Sequence, residues 1–242
     1  MTSFDVALQG NAYLQQIVSQ HDICSACLKI VGQQEALVEN IQAVLHVKHQ
    51  YQPDKTKVIT TTLIRKIIAE AKQIERTEFS LLCRNTLVAL CGGLESQVKN
   101  VIASIVLEDE RILKKFANRA IKIDVGDILA KTDRERARVI VEVLYREESA
   151  KSGHSRKLLR LLESVDCKVS IDANVLAGID EAFEVRNVIV HRGGKIDQQL
   201  KSKAPDIRQE IGDDVDLSGS KFPNYRDAIM ALSEAIPVTF IP

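Results

Sequence analysis

Tryptophan is absent from the chain, and aromatic residues of all kinds make up 4% of its 242 residues. A protein that holds single strands by stacking bases on rings needs more of them, so a stacking platform is not expected. Proline and glycine are scarce, at five and eleven residues, and no proline interrupts the chain between Pro53 and Pro205. Proline is the strongest helix breaker, so its absence permits long helices. Neither sign of charge is in excess, since 33 Lys and Arg balance 33 Asp and Glu. That balance argues against a surface coated for nucleic acid and leaves room for a local basic groove. No apolar run approaches the roughly 20 residues that cross a bilayer. Residues 1–10 lack the basic-then-apolar order of a secretion signal, so none is expected. Five cysteines are an odd number without the density of a disulfide scaffold, and the simplest expectation is a reducing cytoplasm.

What is present favours helix. Ala, Leu, Ile, Glu, Lys, Gln and Arg dominate, all good helix formers. Residues from about Phe4 to Gln50 read as one or two helices, with Gly32 as a break, before a turn at Tyr51-Gln52-Pro53-Asp54. Helical periodicity returns from Val58 to about Leu107. Leu63, Ile67 and Ile74 mark one inward stripe, and Leu87, Cys91, Leu94, Val98, Val101 and Ile105 mark another. Gly92-Gly93 inside the second stripe allows a kink or a close helix approach. Thr132 and Glu135 have capping-box spacing, which predicts a helix from Asp133 to about Glu148. Further helices are expected over Lys151–Leu162, from Asp172 or Asn174 to His191, and over Asn224–Ala235, the last followed by an extended tail from Pro237. Residues 195–221 read as polar and irregular. Ile121-Lys122-Ile123-Asp124-Val125 is the main strand candidate. The expected fold class is all-α.

Most chemistry-bearing groups here have a plain reading beside the functional one. Cys24-Ser25-Ala26-Cys27, with His21 before it, has the form of a metal half-site. A closed zinc site needs about four ligands; Cys83 stands alone, and His46 and His49 would have to fold back. Small buried thiols on a helix are the simpler expectation, and no metal is assigned. Asp213, Asp214 and Asp216 form an acidic cluster that reads as a solvated loop. No Walker-type or dinucleotide-binding glycine loop occurs, so no cofactor is expected.

Arg186-Asn187-Val188-Ile189-Val190-His191, followed by Arg192-Gly193-Gly194, is different. On a helix advancing about 100° per residue, Arg186 falls near −20° from Ile179, Val190 near 20° and Phe183 near 40°. Arg186 therefore lies within the apolar stripe. Asn187 and His191, four residues apart, share one edge of it. A buried guanidinium needs a carboxylate, a partner chain or a phosphate. Histidine takes and gives protons near neutral pH, arginine neutralises charge on a phosphorane, and the Asn187 amide can orient either group. Such a set can cleave RNA without a metal. The alternative is structural: Arg186 pairs with Glu184 or another acid, and His191 only caps the helix.

At these residues the chain resembles the HEPN superfamily, whose active members carry Arg, four to six residues, then His, usually with a polar residue after the Arg. Arg192-Gly193-Gly194-Lys195-Ile196-Asp197 also looks like the bacterial ribonuclease-toxin type. The resemblance covers roughly Leu63 to Ile236. It implies a HEPN-like helical bundle, assigned to residues 58–242. The additional N-terminal helical segment, residues 1–57, is not explained by the resemblance and is expected to pack with the bundle as one unit. The resemblance also implies a homodimer in which two motif helices face each other and build a composite site. Arg186, Asn187 and His191 would be catalytic. Glu95, on an earlier helix, would orient Arg186, and Arg84 would reach phosphate; an ordinary ion pair is the structural alternative for each.

Lys151-Ser152-Gly153-His154-Ser155-Arg156-Lys157-Leu158-Leu159-Arg160 holds four basic residues and no acid. Lys151, Arg156, Lys157 and Arg160, with Arg192, are therefore the RNA-contact candidates, unless the run is only a solvated helix face. The expected activity is a metal-independent endoribonuclease, cytoplasmic, acting as a toxin or antiviral effector. Its partners would be RNA, a second copy, and an antitoxin or nucleotidyltransferase-type protein, with no membrane. Two other readings stay open: a catalytically inactive HEPN-like module that binds RNA or protein, and a purely structural dimerisation domain.

Overall fold

A computed structural model describes residues 2–33, 55–77, 79–117, 132–148, 153–204 and 207–238. The chain is all-α: nine helices and no strand occur among the described residues, where one isolated antiparallel bridge joins Lys195 to Asp214. The turn at residues 51–54, the strand candidate at 121–125 and residues 239–242 lie outside the described residues. No helix is long and apolar enough to cross a membrane among the described residues.

α1 (Ser3–Gly32) starts at a capping box in which Thr2 and Asp5 satisfy each other's backbone N–H. It ends at Gly32, where the sequence places a break. α2 (Lys55–Arg76) and α3 (Ser80–Glu108) follow. The periodicity over Val58–Leu107 is therefore not one helix. The chain turns at residues 77–79, with Phe79 in the left-handed region at φ 59, a conformation that no glycine announces there. The expected inward stripe of α2 is also displaced. Leu63 and Ile67 are exposed, whereas Ile68 and Ala71 are buried, because α2 meets α1 on the neighbouring face.

α3 is the central post, in contact with α1, α4 (Glu110–Ala117), α5 (Asp133–Glu147), α6 (His154–Ser164), α7 (Ala173–His191) and α9 (Lys221–Val238). Its expected stripe is buried from Leu87 to Val101. The crossing with α1 is close. A Cβ on Gly93 would stand 2.5 Å from Leu14 Cδ2, and one on Gly10 would stand 2.3 Å from Gln97 Cγ. Enlarging either glycine would force the facing Leu14 or Gln97 side chain to shift. Gln97, 1% exposed, donates its amide to the carbonyls of Ala7 (2.9 Å) and Ser233 (3.2 Å). That one side chain ties α1, α3 and α9.

α5 starts at the expected capping box of Thr132 and Glu135. Two other expectations are corrected. Residues 195–217 are not merely an irregular polar stretch: they include α8 (Gln198–Lys203) and bury Ile196, Leu200, Ala204, Ile207, Val215 and Leu217. Cys24 and Cys27 are exposed rather than buried, since α1 buries little of its second half. The last helix also runs longer than expected and includes Pro237.

Candidate functional site

α7 is positioned from both ends. Asp172 caps its start, accepting from the Asn174 N–H at 2.7 Å. At its end the Val188 carbonyl accepts from Arg192 N (3.0 Å) and Gly194 N (3.1 Å). Gly193 and Gly194 sit at φ 61 and 81, a left-handed exit that glycine makes cheap. The chain then folds back on the helix end. Ile196 and Gly194 exchange backbone hydrogen bonds with residues 212–215. Arg84 holds this return segment: it donates to the Val215 carbonyl and lies 3.9 Å from Asp214 Oδ1. Its observed contacts are structural, and it does not line the cleft described next.

The fold-back leaves a cleft of about 250 Å³ beside the last two turns of α7, lined by Asn187 and His191 together with Glu184, Arg192, Asp197 and Gln199. Glu184, Asn187 and His191 are spaced i, i+3, i+7, so they share one face. Both acids are engaged. Glu184 accepts from Lys203 Nζ at 2.5 Å. Asp197 pairs with Arg192 and caps α8 by accepting from Leu200 N at 2.7 Å. Arg192 also donates to Gln199 Oε1 at 3.1 Å. The Glu184 pair is the one sequence reasoning offered to Arg186, and it is not formed.

Arg186 lies beside the cleft. Its Nη1 donates to Asn187 Oδ1 at 3.1 Å. Its Nε is buried without a hydrogen-bond partner, and it makes no ion pair among the described residues. The position differs from the expected one. Ile179 and Phe183 are buried as the stripe requires, but Val190 is 45% exposed and Val185 and Val188 are buried instead. A single stripe assumes a helix with one neighbour. α7 has four, in α3, α6, α8 and α9, so its buried side changes along its length. The face carrying Arg186, Ile189 and Val190 is left partly open.

Glu95 is close by but bonded elsewhere. It accepts from the Tyr145 hydroxyl, and no ion pair joins it to Arg186 among the described residues. Lys99 and Lys157 place their ammonium groups 4.0 and 3.6 Å from the centroid of the Tyr145 ring, a cation–π arrangement. Burial, and then the bond to Glu95, raise the Tyr145 hydroxyl pKa above its ordinary range. Burial lowers the Lys157 ammonium, against the pull of Glu95. The charge of Arg186 reaches both Tyr145 and the buried Cys91 thiol.

The basic run after residue 150 does not gather on one surface. Lys151 lies outside the described residues. Arg156 is exposed, Lys157 is turned onto Tyr145, and Arg160 pairs with Glu148 at 2.7 Å. Sequence reasoning named Glu184 only as a structural partner for Arg186 and gave no role to Tyr145 or Asp197. Glu184 was legible from its spacing to Asn187, whereas Asp197 and Tyr145 come from elements that only the fold brings near. No group of His, Cys, Asp and Glu able to hold a metal ion occurs among the described residues.

The arrangement offers one imidazole open to solvent, one amide and one guanidinium that no carboxylate pairs among the described residues. Compared with known proteins, the chain matches no protein-family model, no curated protein and no solved structure.

Proposed function

We propose that the protein is a HEPN-like, metal-independent endoribonuclease that works as a homodimer. One observation carries the reading: Asn187 and His191 share a cleft wall while the Arg186 guanidinium, held to Asn187, has no carboxylate partner among the described residues. A guanidinium kept half-buried at such cost suits a phosphate that arrives later. His191 would accept the proton of a 2′-hydroxyl, whose oxygen attacks phosphorus. The bond from phosphorus to the 5′-oxygen then breaks, and that oxygen takes a proton from the His191 of the facing copy. The products are a 2′,3′-cyclic phosphate and a 5′-hydroxyl end. Arg186 would stabilise the phosphorane charge.

The open face of α7 supports the second copy. Val190 is exposed, Ile189 is half-buried and the Arg186 Nε lacks an acceptor. A facing helix would cover the apolar atoms and could supply that acceptor. The part as toxin or antiviral effector, with an antitoxin or nucleotidyltransferase-type partner, rests on the resemblance and belongs to the same proposal.

The test is cleavage of an RNA pool in EDTA by wild type and by His191→Ala. Cleavage by wild type alone, leaving cyclic phosphate ends, is expected. Equal cleavage by both, or cleavage abolished by EDTA, overturns it. One observation favours the inactive RNA- or protein-binding module instead: the His191 ring has no orienting hydrogen bond among the described residues. RNA bound but never cut by wild type selects that reading.

A further inference from the structure

A trough of about 560 Å³, which shares no lining residue with the α7 cleft, runs between α1 and α5. Three helices each present a pair of residues to it at i, i+4, hence on one face. α1 gives Gln9 and Tyr13, α3 gives Ser96 and Asn100, and α5 gives Arg134 and Arg138. With Cys91 as reference on α3, Glu95 falls near 40°, whereas Ser96 and Asn100 fall near 140° and 180°. Ser96 and Asn100 are thus on the face of α3 turned away from Cys91 and Glu95.

Its chemistry is one-sided. No carboxylate lines it. The acids of α5 near its arginines are engaged: Asp133 pairs with Arg136, Glu135 closes the capping box and Glu142 takes Lys99. Glu108, on α3, accepts from Ser104 and Ser3. Arg134 and Arg138 are exposed and make no ion pair with any described residue. Tyr13 is 54% exposed, with its ring edge over Gly93, where a Cβ would stand 3.4 Å from Cε1. Gln97 also lines the trough, and its Oε1 is buried without a donor.

We propose that this trough binds a nucleoside phosphate, either free or as a unit of an RNA strand. Two arginines four residues apart suit a phosphate, Tyr13 offers a face or edge to a planar base, and the acceptors of Gln9, Asn100 and Gln97 suit ring N–H or hydroxyl donors. Inorganic phosphate would leave the ring and the amides unused, and the volume lies in the range of small-molecule sites, about 300–1,000 Å³. The inference does not depend on the chemistry assigned to His191.

The test titrates AMP, and separately a fluorescent ten-nucleotide oligoadenylate, into the whole protein at low salt. Wild type is compared with the Arg134→Ala/Arg138→Ala double variant, Tyr13→Ala and His191→Ala, with the melting curve of each recorded. The double variant should bind at least about tenfold more weakly, and Tyr13→Ala about fivefold or more, while both melt as wild type does. His191→Ala should bind AMP as wild type does. AMP binding identifies the free nucleotide as ligand, and oligonucleotide binding alone identifies the strand. The inference falls if neither probe binds, if the double variant binds as wild type does, or if poly-glutamate competes as well as AMP. Loss of RNA cleavage in His191→Ala with AMP binding intact separates the two sites, whichever proposal fails.

Discussion

Ile179, Ala182, Phe183 and Val185, in the middle of α7, are buried to within 1% of complete. Arg186, Asn187 and His191, in the last two turns of the same helix, keep atoms open to a cleft or to solvent. The middle is fitted closely on several sides. Gly178 lets Ala228 of α9 approach to 3.0 Å of where a Cβ would lie, and Phe183 stacks on His154 with ring centres 4.9 Å apart. The last turns meet a short helix and a folded-back segment on their cleft side. The difference teaches that one continuous helix can hold the fold in its middle and leave reactive groups poised at its end, because packing is spent unevenly along it.

The sharpest way to break this contrast is Phe183→Ala. Removing a buried aromatic should cost about 3–5 kcal/mol, read as a lowered urea midpoint. If the midpoint hardly moves, the middle of α7 is not the anchor described. His191→Ala should do the reverse. Stability should stay within about 0.5 kcal/mol of wild type, while RNA cleavage falls at least about a hundredfold, measured in single-turnover assays. A large loss of stability there would make His191 a structural cap.

Two smaller effects sharpen the boundary between the packed middle and the open end. Tyr145→Phe removes the donor to Glu95 beside Arg186, at an expected cost of about 1 kcal/mol, read by chemical denaturation. No change would mean that water replaces the bond freely. The smallest effect is a pH dependence. Burial lowers the His154 imidazole pKa below the ordinary histidine range, although Glu184 and Glu95 pull it upward. The folded state therefore favours the neutral ring, and the unfolded chain binds more protons in the interval between the two values. Stability from this group is present above about pH 6.5 and is lost as pH falls through the lowered folded value. Denaturation midpoints of wild type should decline over that interval relative to those of His154→Gln. Parallel curves would remove His154 from the account.

Local signals were the legible part of the fold. The Thr132–Glu135 box formed where the sequence placed it, and of the two starts offered for α7, Asp172 and Asn174, Asp172 is the cap; both depend on residues within a few positions of one another. The α3 stripe was legible because α3 has a strongly apolar pattern. The break at residues 77–79 was not, since a left-handed phenylalanine leaves no compositional mark. Residues 195–217 read as loop because their apolar side chains follow no period, yet six of them reach the core. Within the candidate site, the motif residues and Glu184 could be read from helix spacing alone. The engagement of Glu95 by Tyr145 and of Arg84 by Val215 could not, because each joins segments 50 or more residues apart.

The Gln97 amide has a consequence for the order in which the chain is made. One of its two acceptors, the Ala7 carbonyl, has already been synthesised when Gln97 emerges; the other, on Ser233, lies 136 residues further on. The slot between α1 and α3 can therefore close early, while the α9 side of the same side chain waits for nearly the whole polypeptide. A ribosome-bound nascent chain lacking α9 should leave the α9-facing flanks of α1, α3 and α7 uncovered. The stretch of α7 around Gly178 and Glu181, which meets Ala228, Lys221 and Tyr225 of α9, would then acquire its final packing only after synthesis is almost complete.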